Sequence, residues 1–206
     1  LLQGDVGSGK TAVALCGIYM AVKSGHRAAY LSPTEVLASQ NYAILQKYFP
    51  EYKVGYLAGG MTAKEKREMK ALIKRGEVDI VCGTHAILQE DVEIPDLSFI
   101  VCDEQHRFGV AQRNALAEKG AGTDTLVMSA TPIPRTLAII MYGDLQISVL
   151  DEMPAGRIPI KNLAISSSER RRIYRFMYGQ IKQGRQAYVI CPEVEEGEMS
   201  ELENVR

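Results

Sequence analysis

The chain has 206 residues, 46% of them hydrophobic and 24% charged, with a formal net charge of −1. That length supplies one full domain with a sizeable core and part of another, and a balance so close to neutral argues against a globally basic nucleic-acid binder. No apolar run approaches the roughly 20 residues that span a bilayer, and no basic segment leading into an apolar stretch opens the chain as a secretion signal. We therefore expect no membrane partner and a cytoplasmic location. Cys16, Cys82, Cys102 and Cys191 are scattered without a C-x-x-C pair, which fits free thiols in a reducing compartment.

Taken in chain order, the first signal is Gly4-Asp5-Val6-Gly7-Ser8-Gly9-Lys10-Thr11. It fits G-x-x-x-x-G-K-[ST], a loop whose backbone N–H groups wrap phosphate oxygens at a helix N-terminus. Gly4, Gly7 and Gly9 let the backbone turn and approach the phosphates. Lys10 is placed to face the β- and γ-phosphates of ATP, and Thr11 to offer a hydroxyl to Mg²⁺.

Short β-branched runs then alternate with amphipathic stretches, the pattern of βαβ units on a parallel sheet in an α/β fold. Strands are expected at 27–32, 53–58, 78–83, 98–103, 124–129 and 145–150, and helices at about 10–24, 35–48, 62–75, 109–119 and 134–142. The strands end on Pro33-Thr34, Thr84-His85, Asp103-Glu104 and Ser129-Ala130-Thr131, and ligands of open α/β sheets collect at such carboxyl ends. Thr34 and Thr84 read by frequency as plain N-caps; the functional alternative is that these helix starts bind a nucleic-acid backbone.

Adjacent carboxylates at the end of the apolar run Phe99-Ile100-Val101-Cys102 are costly without a cation or phosphate to face. Asp103 is accordingly assigned to Mg²⁺ and Glu104 to the attacking water, so that loop and carboxylates together indicate NTP hydrolysis. His106 is no metal ligand, because no H-x₃-H or nearby Cys–His spacing accompanies it.

The polar, Pro- and Gly-containing segment 151–157 reads as a linker. Residues 1–150 are expected to form one domain, 151–159 the linker, and 160–206 the start of a second α/β domain with strand 160–166, helix 169–183 and strand 186–191. Leu1-Leu2-Gln3 can supply only the end of the strand that precedes a phosphate loop. The expectation is a piece of a longer protein, nearly inactive by itself.

Gly4–Thr11, Pro33-Thr34-Glu35, Gly83-Thr84-His85, Asp103-Glu104-Gln105-His106 and Ser129-Ala130-Thr131-Pro132 resemble the ordered motifs of DExH-type superfamily-two helicases. The stretches Asp103–Val110, Met128–Thr136, Tyr142-Gly143-Asp144-Leu145 and Asp151–Arg157 resemble the RecG family of bacterial ATP-dependent DNA helicases in particular. The nearest competitor, the Mfd-type transcription–repair coupling translocases, usually has Glu where Gln105 stands. A stand-alone P-loop ATPase is disfavoured by the unfinished second domain.

The resemblance implies a RecA-like P-loop NTPase domain followed by the start of a second one. It implies an ATP- and Mg²⁺-dependent motor, monomeric, on branched double-stranded DNA (forks and Holliday junctions), driving fork reversal and branch migration in repair and recombination. By similarity Thr34, Thr84 and His85 touch DNA, and His106, Ser129, Thr131 and Arg135 couple nucleotide state to DNA grip. The wedge domain and arginine finger of such motors are not in this sequence.

Overall fold

The computed structural model describes residues 1–104, Ala115, Lys119, 122–130, 146–152 and 160–190. The chain divides into two units, Leu1–Arg157 and Ile158–Arg206.

The first unit is built on a sheet of seven strands: β1 (Leu2–Gly4), β2 (Arg27–Leu31), β3 (Val54–Leu57), β4 (Ile80–Gly83), β5 (Leu97–Asp103), β6 (Asp124–Ser129) and β7 (Ser148–Leu150). Their order is β3-β4-β2-β5-β6-β1-β7, and every neighbouring pair is parallel. Helices α1 (Lys10–Lys23), α2 (Glu35–Tyr48) and α3 (Ala63–Lys74) make the first three connections, from β1 through to β4. The expected α/β architecture is thus formed, with strand and helix limits within a residue or three of the expected ones. The expected helices 109–119 and 134–142 lie outside the described residues apart from Ala115 and Lys119.

The central strands β2, β4 and β5 are mostly apolar because both sheet faces are covered. One core contains Ala29, Leu31, Ile73, Val81, Ile87 and Ile100; the other packs Ile18 and Val22 of α1 and Leu45 of α2 against Tyr30, Val101 and Met128. Helix α3 is started by a capping box: the Thr62 side chain accepts from Glu65 N, while Glu65 Oε2 accepts from Thr62 N at 2.8 Å.

In the second unit a helix, α4 (Arg170–Lys182), forms close to its expected position. The expected strands 160–166 and 186–191 do not form: 160–166 and 185–190 belong to no regular element, and Cys191 lies outside the described residues. Their apolar residues are exposed, including Ile160, Leu163, Tyr188 and Ile190. A strand exists only through a hydrogen-bonded neighbour, and these segments pair with none among the described residues. Helix α4 likewise buries no residue.

Candidate nucleotide and nucleic-acid rim

Parallel strands place all their carboxyl ends on one rim, where every expected site residue within the described chain falls. The phosphate loop leaves β1 at Gly4. Gly7 and Gly9 adopt φ of 80° and 98°, a region that side chains with a Cβ enter only at a cost. A Cβ on Gly4 would lie 2.5 Å from Ser8 Oγ and 3.0 Å from Leu150 Cβ, so only glycine lets the loop close there. Asp5 O accepts from Ser8 N at 3.1 Å, and Asp5 Oδ1 from Val6 N at 2.6 Å.

Lys10 Nζ donates to Gly4 O at 2.7 Å and Asp5 O at 2.9 Å. The ammonium is therefore held inside the loop's curve. Helix α1 starts at Lys10 with no capping side chain and no acid in its first turn, which leaves its positive end to an external anion. Ser8 Oγ is buried and finds no hydrogen-bond partner among the described residues. A cleft of about 370 Å³ opens beside the loop, lined by Gln3–Asp5, Ala130 and Val149–Asp151, within the size range of small-ligand sites. Loop, open helix end, orphaned hydroxyl and cleft together fit a nucleoside triphosphate. Thr11, half-buried in the first turn of α1, and Asp103 supply the hard oxygen donors that suit Mg²⁺. No group of three or more His, Cys, Asp or Glu forms a metal site among the described residues.

Asp103 and Glu104 end β5. Burial pushes the Asp103 carboxyl above its ordinary value and the Glu104 charge adds to that; the Lys10 charge and the polar Asn41 amide pull the other way. Lys10, Asp103 and Glu104 thus lie near enough for the charges of Lys10 and Glu104 to act on Asp103. Glu104 takes φ of 50°, its backbone N–H donates to Met128 O at 3.0 Å, and its Oε1 accepts from Ala130 N at 3.0 Å. Ser129 is buried at the end of β6, one residue beyond Met128, the partner of Asp103. His106, Thr131 and Arg135 lie outside the described residues.

On the other half of the rim, Thr34 is the N-cap of α2, its Oγ1 accepting from Leu37 N at 3.3 Å, and it is exposed. His85 is exposed too, but Thr84 is only 2% exposed. The turn His85–Leu88 buries Ala86, Ile87 and Leu88, and Thr84 N donates to Leu57 O at 3.2 Å, which draws Thr84 inward. Its Oγ1 has no hydrogen-bond partner among the described residues. In this conformation its hydroxyl does not face a solvent-borne ligand.

Four residues carry contacts that the sequence does not disclose. Asn41 and Ser32 form a buried pair, Nδ2 to Oγ, at 3.0 Å. Lys119 Nζ donates to Ile87 O at 2.9 Å, to Gln89 O at 3.3 Å and to Val92 O, clamping the segment after His85. Glu35 had been seen only as a neighbour of Thr34; its Oε1 accepts from Gly60 N at 2.5 Å and ties α2 to the loop after β3.

Comparison with known proteins agrees with this geometry. The DEAD/DEAH box helicase family profile matches residues 1–140. The chain is 50% identical over 204 residues to the ATP-dependent DNA helicase RecG of Streptococcus pneumoniae, covering 99% of this chain and 30% of that protein. It is 47% identical over 206 residues to RecG of Bacillus subtilis, again covering 99% and 30%. The chain thus spans under a third of the length of these relatives. A solved structure of RecG bound to a three-way DNA junction shares its fold with a TM-score of 0.72 and 40% identity, covering 89% of this chain and 25% of that one. The helicase MrfA bound to DNA, at 23% identity and a TM-score of 0.56 over 74% of this chain, shares the fold. The chain belongs to the DEAD/DEAH box helicase family, and its sequence is similar to those of RecG helicases.

Proposed function

We propose that this chain is the nucleotide-hydrolysing part of a RecG-type, ATP-dependent motor on branched double-stranded DNA, acting in fork reversal and branch migration. The observation that carries the proposal is the division of one rim. Lys10, Asp103 and Glu104 cluster at the ends of β1 and β5, while Thr34 and His85 stand exposed at the ends of β2 and β4. Relatives named as ATP-dependent DNA helicases and a neighbour solved on a three-way junction support the same reading.

In this reading Lys10 leaves its loop carbonyls to meet the terminal phosphates, and Thr11 and Asp103 hold the cation. Mg²⁺, when bound, neutralises charge on the transferring phosphoryl group. Glu104, fixed by Ala130, orients and polarises the attacking water. Thr34, His85 and their flanking backbone grip the DNA, and Ser129, with His106, Thr131 and Arg135, carries the change at the nucleotide to that grip. Residues 1–150 form the ATP-binding domain, and 160–206 begin the second domain after a linker. The protein works as a monomer in the cytoplasm.

The test is steady-state ATP hydrolysis by a full-length protein containing this chain, with forked DNA, linear duplex or no DNA. Strong stimulation by the fork is expected. Equal rates with and without any DNA would overturn the proposal and favour a stand-alone ATPase.

A further inference from the structure

The strip of rim with exposed Thr34 and His85 also carries an exposed acid, Glu35, and two exposed glycines, Gly59 and Gly60. An acid on a surface assigned to a polyanion opposes binding, since like charges repel. Its partner gives it a purpose. Glu35 Oε1 accepts from Gly60 N at 2.5 Å, and the carboxylate fills the space beside both glycines. A Cβ on Gly60 would lie 2.5 Å from Glu35 Oε2, and one on Gly59 3.1 Å from Oε1. Lys66 Nζ donates to Gly59 O at 2.5 Å, so an ammonium stands on the same loop. A backbone N–H with a cation beside it suits a phosphate oxygen; here a carboxylate of the chain itself occupies it.

The sheet order shows what this contact spans. Strand β4 lies between β2 and β3, and Gly83 at its end pairs with Leu31 on one side and Leu57 on the other. Glu35 follows β2 and Gly60 follows β3. Their hydrogen bond therefore ties the two flanks of β4 together beyond its end, where Thr84 and His85 leave the sheet. Thr84 is 2% exposed, and its Oγ1 finds no partner among the described residues. A buried hydroxyl without a partner destabilises the arrangement that buries it. The seated carboxylate and the orphaned hydroxyl are independent signs, at neighbouring strand ends, of a closed conformation.

We propose that Glu35 is a latch on this half of the rim, an internal anion that holds the Gly60 N–H until a phosphodiester of the DNA backbone takes its place. This rests on the functional reading above. When the phosphate takes the N–H, Glu35 turns away into solvent and the tie across the end of β4 is released. Thr84 is then free to turn its hydroxyl outward beside His85. A ligand that must displace such an occupant binds more weakly by the fraction of time the seat is empty. Glu35 thus sets how much DNA contact is needed to open the rim.

The test compares Glu35→Ala and Glu35→Gln with the unmodified full-length protein. Glu68→Ala, which removes an exposed charge from α3, is the control for charge alone. Two quantities are measured: affinity for forked DNA without nucleotide, and amide hydrogen exchange in segment 58–62. Removing the internal competitor should tighten DNA binding about 5- to 10-fold in Glu35→Ala, while Glu68→Ala stays within about twofold. Glu35→Gln, which keeps an oxygen for Gly60 N, should show a smaller gain. Exchange in 58–62 should quicken in DNA-free Glu35→Ala and slow when forked DNA is added to that variant. Unchanged or weaker DNA binding by a folded Glu35→Ala protein would overturn the latch. So would an equal gain in Glu68→Ala, or exchange in Glu35→Ala that DNA leaves unaltered. If Glu35→Ala misfolds, Glu35→Gln decides, and the absence of any gain there overturns the latch equally. Failure of the unmodified protein to bind forked DNA would instead overturn the functional reading beneath it.

Discussion

Glu104 is held by Ala130: its Oε1 accepts the Ala130 backbone N–H at 3.0 Å. The acidic end of β5 is thereby fastened to the end of β6, between Ser129 and Thr131. Glu104 also carries a positive φ of 50°, unfavourable for a residue with a long side chain, and such strain persists where the surroundings over-determine it. A bond of this kind fixes the direction of the remaining carboxylate oxygen, which is what orienting a water demands.

Glu104→Gln retains a carbonyl oxygen for Ala130 but loses the carboxylate. ATP binding should remain, thermal stability should stay close to the unmodified value, and hydrolysis in a full-length protein should fall by about 10²-fold or more. Single-turnover hydrolysis beside a nucleotide-binding titration measures this. Hydrolysis near the original rate would remove Glu104 from its role.

Lys10→Ala takes the ammonium from Gly4 O and Asp5 O and from the phosphates. A hydrogen bond to a charged group contributes about 1.5–3 kcal/mol, so ATP affinity should fall about 10- to 100-fold together with turnover. Titration with a fluorescent ATP analogue reads it. Unchanged affinity with lost turnover would confine the ammonium to the transition state.

Asp103 offers a stability test with a defined sign. Its folded pKa lies above the ordinary 3.8, so between those values the folded state binds more protons than the unfolded one. Stability contributed by this group is greatest below pH 3.8, falls as pH rises through the folded pKa, and stays lower at neutrality. Asp103→Asn should therefore raise the melting temperature of the nucleotide-free protein at pH 7 and abolish the further rise that Mg²⁺ and ATP give the unmodified protein. A lower melting temperature would show that the charge is already well compensated without a cation.

Lys119 reaches three backbone oxygens, of Ile87, Gln89 and Val92. Lys119→Met keeps much of the stem and removes the donors, leaving partly buried carbonyls unmet at about 1–3 kcal/mol. Chemical denaturation should show that loss, and Lys119→Arg should recover part of it. DNA affinity should drop with it, because the clamped segment carries His85. Wild-type stability in Lys119→Met would mean that water serves those carbonyls as well.

The phosphate loop, the order of strands and helices, and the acidic strand end were legible because each leaves a local pattern: fixed glycine spacing, apolar runs closed by turn residues, carboxylates at a strand end. What was not legible depends on the third dimension. Asn41 sits in an amphipathic helix where a polar residue reads as surface, and only the packing of α2 beside β2 brings it to Ser32. Thr84 read as a helix start able to meet a ligand, yet the apolar Ala86-Ile87-Leu88 that follows pulls it inward. Lys119 is one lysine among many until its three acceptors converge. Segments 160–166 and 186–191 have strand composition, but composition cannot provide the neighbour a strand needs.

Past a register shift between Arg27 and Ala28, the seam between the nucleotide half and the other half of the rim is a regular parallel ladder, with Ala29 against Ile100, Tyr30 against Val101 and Leu31 against Cys102. Such a ladder resists shear, since sliding by one residue would turn every side chain to the opposite face. Along this stretch a push that begins at Glu104 meets strands that resist slipping past one another, so it is carried across the seam rather than lost in it.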